Sequence, residues 1–286
     1  MNPLPDIQKT EDTRRVAIEH VGVTGVRMPL VVLTRPSPVR ELLSVPLQTV
    51  GSFELSVSLP EHVKGTHMSR FTEVLNEHIS AVGVFSAQHL TTIAQTLITR
   101  LDATRARLRL DLDYFVVQNA PTSGRPGTAP LRAFLEVDVV DLPCQGGRVT
   151  DLLVGVEIDG KTCCPCSREI SDYDHETGKG RGAHAQRSKV TIRVRPAEGK
   201  MVWFEDLVDV AWKSFSSPIY PVLKRPDERT VTVGAYTNPK FVEDVIRDVV
   251  VGLRSLPTVK EYSVRVQNAE SIHYHDAFAE VSTLSS

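Results

Sequence analysis

The sequence is poor in the features that mark specialised proteins. Only 4 of its 286 residues are cysteine. That is too few for a disulfide scaffold in a chain of this length, and three of the four lie too close together to bridge one another. Reduced thiols, and hence the cytoplasm, are expected. Charge of one sign is also lacking. The 33 Lys and Arg residues nearly balance the 35 Asp and Glu, for a formal net charge of -2. No global basic field therefore points to nucleic acid. No apolar run nears the roughly 20 residues that span a bilayer, so no membrane partner is expected. The start of the chain holds Asp6, Glu11, Asp12 and Glu19 and lacks an apolar core segment, which argues against a secretory signal.

What is present is regular patterning. Residues 1–20 are polar and are expected to fray, and Arg35-Pro36-Ser37-Pro38 with Pro46 reads as extended loop. Phe53, Leu55, Val57 and Leu59 alternate with polar residues, as in a strand buried on one face. Residues 68–81 read as a short helix. Ser86 reads as the N-cap of a second, in which Leu90, Ile93, Ala94, Leu97, Ile98 and Leu101 recur at helical spacing. Alternation returns over Leu108–Val116 and Leu131–Val139, and the loop residues 119–130 between them predict a hairpin.

The second half repeats this order. Strands are expected at 149–158 and 190–194, and a helix at 204–215. Asn238 is expected to cap a longer helix with Pro239 at its first position and an apolar stripe reaching Leu253. Strands are expected from Tyr262 and over 276–283. The expected fold class is α+β, with two modules that each lay two helices on one face of an antiparallel sheet. The expected division is a flexible segment 1–20, a module over 21–145 and a module over 146–286. A single irregular α+β domain with accidental symmetry would give the same order.

The chemistry concentrates in a few segments. Cys163, Cys164 and Cys166 fall within four positions and are followed, past the polar loop 174–181, by His184. Thiolates beside an imidazole suit a borderline-soft divalent metal, which can activate water. With Pro165 between them, Cys164 and Cys166 are expected to lie extended and to point the same way. Small buried hydrophobes are the plainer reading of clustered cysteines. A four-ligand structural zinc lacks its second pair, because Cys144 and His184 stand alone.

Lys224-Arg225-Pro226-Asp227-Glu228-Arg229 reads as a solvated turn, or else as a carboxylate metal ligand (Glu228) beside two phosphate-binding cations (Lys224 and Arg225). Glu243 suits the first turn of a helix on dipole grounds alone. A fixed carboxylate there also matches the paired N–H donors of a guanine edge. Glu270, His273 and His275 cluster at the end of a strand, where the two imidazoles would share a face, bind metal, shuttle protons, or do both. Lys64–Arg70, with His67 and Arg70, is either a strand-to-helix turn or an anion site at a helix start.

Six segments together resemble the type IB GTP cyclohydrolase I family. They are Gly65–Phe71, Cys164–Ser167, Gly182–Ser188, Leu223–Glu228, Asn238–Asp244 and Glu270–His275. The resemblance spans about residues 15–280, with the motifs in the family's order. It implies a tandem tunnelling fold (T-fold) and a homotetramer with active sites at subunit interfaces. It also implies conversion of GTP to 7,8-dihydroneopterin triphosphate and formate, the first step of folate biosynthesis. The family's metal ligands match Cys164, His184 and Glu228, and its purine anchor matches Glu243. Its Glu-x-x-His-x-His matches Glu270, His273 and His275. One divalent metal per site is implied, as Mn(II), Fe(II) or Zn(II). Lys224, Arg225, Arg187, His67 and Arg70 are the candidates for holding the triphosphate. The segment from Asp174 to Arg181 departs from the pattern as an insertion, which must bulge outward if His184 is a ligand. Three rivals stay open at this stage: the queuosine-pathway nitrile reductase on the same fold, a non-catalytic purine-binding protein, and a structural zinc protein.

Overall fold

A computed structural model describes residues 6–8, 10–36, 46–142, 147–173 and 182–285. Among these residues it has nine strands and six helices. The strands follow the hydrogen-bonded order β1-β2-β3-β4-β5-β6-β8-β9, with β7 beside β5. The chain divides into two compact units.

The first unit comprises Met1–Leu33, Leu42–Asp113 and Phe134–Leu153. Its elements are β1 (Ile18–Val32), β2 (Leu47–Leu59), α1 (Met68–Ala81), α2 (Ala87–Leu101) and most of β3 (Arg105–Asn119). It also takes in the far part of β4 (Pro126–Leu142) and the start of β5 (Gly147–Cys163). Alternation builds the core directly. Phe53, Leu55 and Val57 of β2 face Leu110, Leu108 and Ala106 of β3 in antiparallel register. All six are buried. From α1 come Phe71, Val74 and Leu75, and from α2 come Leu90, Ile93, Ala94 and Leu97, all fully buried. Each such large apolar side chain contributes about 1.5–3 kcal/mol through removal from water. Ser86 caps α2 as expected, and its own N–H is accepted by Nδ1 of His89 at 3.1 Å. β1 changes register between Val23 and Val26, where Gly25 takes φ +73, a left-handed value that suits a bulge glycine. Near the start of the chain, Asp12 N–H donates to His62 O at 3.0 Å and Lys64 N–H to Thr10 O at 3.1 Å.

The second unit comprises Thr34–Glu41, Tyr114–Ala133 and Val154–Ser286. Beside its parts of β3, β4 and β5 it holds α3 (Pro165–Asp172), β6 (Ala185–Pro196), α4 (Phe204–Ser214) and β7 (Ser217–Pro218). It continues with α5 (Arg225–Thr237), α6 (Val242–Arg254), β8 (Val259–Asn268) and β9 (Ala277–Ser282). Ile192 of β6 faces Val156 of β5 on one side and Val264 of β8 on the other. These residues are buried together with Leu207, Val208 and Ala211 of α4 and Val245, Val249 and Leu253 of α6. No helix of the described residues is long and apolar enough to cross a membrane.

Several sequence expectations change. The hairpin connection between β3 and β4 is shorter than 119–130, because Ala120 N–H to Arg125 O at 2.9 Å closes it. Helices α3 and α5 had no counterpart in the sequence pattern. Asn238 ends α5 and does not cap α6. Its amide donates to Phe215 O and Ser216 O, both at 3.3 Å, so it is spent on docking, and α6 starts after Phe241 instead. Of the loops read from the sequence, Ser37, Pro38 and residues 174–181 lie outside the described residues.

Phe215 lies against Gly160 of β5. A Cβ at position 160 would meet the Phe215 ring at 2.2 Å. Gly160→Ala is therefore expected to overpack this contact and destabilise the protein by about 1–3 kcal/mol, measured by denaturant melting. Gly147→Ala, where an added Cβ meets nothing within 4 Å, is the matched control.

Candidate functional site

The second unit holds ten of the twelve sequence-predicted residues, and it links three of them, Cys164, His184 and Glu270, where β5 ends and β6 begins. The last register pair is Cys163 with Ala185. One step further, Cys164 N–H donates to His184 O at 3.1 Å. The sheet's own hydrogen bonding thus brings the Cys164 and His184 backbones side by side from either end of the 174–181 segment.

Cys164 and Cys166 do not lie in extended chain. The fixed φ of Pro165 starts α3, with Cys164 as its N-cap. Sγ of Cys164 accepts from Ser167 N–H at 3.4 Å, and Oγ of Ser167 accepts from His184 N–H at 3.2 Å. The helix start therefore clasps the histidine. Cys163 is buried and its N–H donates to Oγ of Ser216 at 3.1 Å. Burial pushes its thiol pKa up, which disfavours a thiolate there. Cys166 is exposed in the first turn of α3. Half-buried Cys164 is the cysteine whose backbone the fold bonds to His184.

The imidazole is tied down in turn. Nδ1 of His184 lies 3.0 Å from Oε1 of Gln186, and Nε2 of Gln186 donates to Glu270 at 3.3 Å. Gln186 was absent from the sequence-predicted site. Its position two residues after His184 in a strand, on the same face, was the available signal. Glu270, His273 and His275 sit in a turn and not in extended chain: His273 N–H donates to Glu270 O at 3.2 Å. The two imidazoles nevertheless come together, stacked with centroids 4.9 Å apart. Both are exposed.

Arg187 lies on the exposed face of β6, opposite buried Gln186. It lines a cleft of about 390 Å³ with Arg132, Lys189, Trp212 and Tyr220. Glu157 and Asp159 share that lining, so the cleft is mixed in charge.

Helix α5 carries Lys224, Arg225 and Glu228 at its N-terminal end, all exposed. Asp227, fully buried, anchors that end. Its carboxylate accepts from Lys224 N–H at 2.8 Å, Thr122 N–H at 2.8 Å, and Ser123 N–H and Oγ both at 2.7 Å. Burial pushes the Asp227 carboxyl up, but these hydrogen bonds outweigh it and hold the group well below the usual carboxylate range. The other end of α5 docks at the cysteines, where Lys240 N–H donates to Cys163 O at 3.0 Å. Tyr236 OH donates to Asp172, and Arg168 lies 5.2 Å from the Tyr236 ring, tying α5 to α3.

Thirteen residues of helix span about 20 Å. Glu228 therefore starts from the end of α5 remote from Cys163. Among the described residues, no three His, Cys, Asp or Glu side chains form a group that could hold a metal ion. Within one chain the structure joins Cys164, His184 and Glu270 through backbone and side-chain bonds, and it does not bring Glu228 to them. Glu243 is exposed in the first turn of α6, three residues after Lys240. In the first unit, His67 is the N-cap of α1 and pairs with Asp6 at 3.2 Å, and Arg70 donates to Arg100 O at 3.3 Å.

Because its folded-state pKa is lowered, Asp227 contributes stability that is present above its ordinary value of 3.8 and is lost as pH falls below it. Asp227→Asn is expected to melt several degrees below the parent at neutral pH. The gap in Tm should narrow once the pH drops under about 4, as a pH series of thermal melts would read directly.

A family model described as type I GTP cyclohydrolase FolE2 matches residues 4–279. The GTP cyclohydrolase FolE2 of Dictyoglomus thermophilum is 37% identical over 274 residues, covering 96% of each chain. That of Syntrophotalea carbinolica is 39% identical over 276 residues, covering 96% of this chain and 94% of its own. Among solved structures, a uricase from Bacillus fastidious superposes with a TM-score of 0.57 at 11% identity, over 93% of this chain and 92% of that one. The uricase from Arthrobacter globiformis gives 0.55 at 9% identity, over 92% of both chains. At such identity the likeness speaks for the fold alone, which is the α+β T-fold. With the family model and these relatives covering nearly the whole chain, the protein belongs to the type I GTP cyclohydrolase FolE2 family.

Proposed function

We propose that this protein is a GTP cyclohydrolase that converts GTP to 7,8-dihydroneopterin triphosphate with release of formate, at the start of pterin and folate synthesis. The observation that carries the reading is the match to the FolE2 family over residues 4–279, which contains every site motif quoted above. No comparable observation favours a nitrile reductase or a non-catalytic purine-binding protein.

Cys164, His184 and Glu228 would hold one divalent metal, Mn(II), Fe(II) or Zn(II). The donor set supports this: a half-buried thiol on a residue bonded through the backbone to a histidine whose Nδ1 is already engaged suits a borderline metal. When bound, such an ion lowers the pKa of a coordinated water. Glu228 stands at the far end of α5 from the other two ligands within one chain, so a second copy is the natural source of that carboxylate. That supports a site shared between subunits, and the family resemblance implies that the assembly is a homotetramer.

The remaining roles belong to the chain's own side chains. Glu243 accepts the ring N–H and exocyclic amine of guanine, which holds the base in one orientation. His273 or His275, both exposed on their turn, hands a proton to the opening imidazole ring. Lys224 and Arg225, with Arg187, His67 and Arg70, neutralise the triphosphate. Free thiols at Cys163, Cys164 and Cys166 suit a reducing compartment, and we place the protein in the cytoplasm.

Incubation of metal-reconstituted protein with GTP, with products resolved by mass, should yield dihydroneopterin triphosphate and one formate per turnover. Tight GTP binding without product would overturn the reading. Cys164→Ala should cut formate release by at least a hundredfold. Glu243→Ala should abolish guanine recognition at unchanged metal content, and loss of both together would make Glu243 a structural residue instead.

A further inference from the structure

Gln186 lies on β6 between two residues already placed at the site. It is only 7% exposed. Its Oε1 is 3.0 Å from Nδ1 of His184, and its Nε2 is 3.3 Å from Oε1 of Glu270. The direction of this chain of bonds is set from its outer end. An ionised carboxylate can only accept, so the amide nitrogen must face Glu270. The amide oxygen then faces His184, and it too can only accept. Nδ1 must therefore carry the proton. A neutral imidazole has one N–H, so Nε2 is left with its lone pair free.

We propose that Gln186, oriented by Glu270, is a positioning residue that locks His184 in the Nδ1–H tautomer and so presents Nε2 to a divalent cation. The inference rests on the reading of His184 as a metal ligand, but the proton position at its centre exists without any metal. Partners of this kind typically hold a ligating histidine through its second nitrogen. Here a neutral amide does so and sets the negative charge one side chain further out. The backbone keeps the reach constant. Ala269 N–H donates to Arg187 O at 3.0 Å, so the Glu270 turn is stitched to β6 one residue from Gln186. No neighbour on the strand can substitute, because Arg187 is exposed on the opposite face and Ala185 has no side-chain acceptor.

The test uses full-length protein labelled with ¹⁵N-histidine, without metal, at mildly alkaline pH where imidazole is neutral. Long-range ¹H–¹⁵N correlation reports the tautomer, and His184→Ala assigns the signal. The parent should show Nδ1–H at His184, and Gln186→Leu should shift it toward Nε2–H, the form that an unconstrained histidine side chain favours. Glu270→Ala, at a half-buried position just before the turn, should weaken the same preference. An Nε2–H signal in the parent, or an unchanged Nδ1–H signal in both variants, overturns the proposal. Titration with Mn(II) alone gives the second readout, with affinity in Gln186→Leu expected to fall about 10–100-fold. Unchanged affinity in Gln186→Leu sinks the positioning role while leaving the ligand reading intact. Unchanged affinity in His184→Ala overturns the ligand reading itself, and with it the purpose assigned to Gln186.

Discussion

The antiparallel pairing of β5 with β6 is the constraint from which the site follows. Its register sets Cys163 opposite Ala185. The next hydrogen bond, Cys164 N–H to His184 O, then comes at almost no further cost in chain entropy. From that bond the rest is local. Cys164 caps α3, Ser167 returns to His184, and the strand alternation that buries Ser188 and Val190 also directs Gln186 inward to Glu270. A one-residue slip in register would turn His184 and Gln186 to the opposite face and undo the arrangement. The buried pairs of the strand interior, Ile192 between Val156 and Val264 among them, hold that register.

Helix α5 is a strut between two anchors. Asp227 fixes its start through four hydrogen bonds, and Asn238 and Lys240 fix its end against Phe215, Ser216 and Cys163. Its exposed residues therefore hold defined positions although little apolar surface secures the helix. That rigidity matters because Lys224, Arg225 and Glu228 all ride on its N-terminal end.

Legibility from sequence tracked apolar periodicity. α1 and α2 were readable almost to the residue because Phe71, Val74, Leu75 and then Leu90 through Ile98 mark one face each. β2, β3 and β6 were readable because alternation matches the pleat. α3 was invisible because it buries no residue at all, and α5 because only Asp227 and Ala235 are buried on it. Both helices are held by caps and side-chain bonds, which leave no period in the sequence. The start of α6 was misplaced for a related reason: Asn238 followed by Pro239 looks like a cap, yet its amide is drawn away to the backbone of Phe215 and Ser216.

The sequence by itself determined the fold class, the residues able to do chemistry and the family to which they belong, because residue identity, spacing and periodicity are properties of the linear chain. Only the tertiary structure decided which of those residues meet. It joined Cys164 to His184 through a sheet bond, drew in Gln186 as the link to Glu270, stacked His273 on His275 within a turn, and set Glu228 at the remote end of α5. The reason is physical. Such meetings depend on strand register and on hydrogen bonds between segments distant along the chain, and no local pattern encodes the distance at which two segments come to rest.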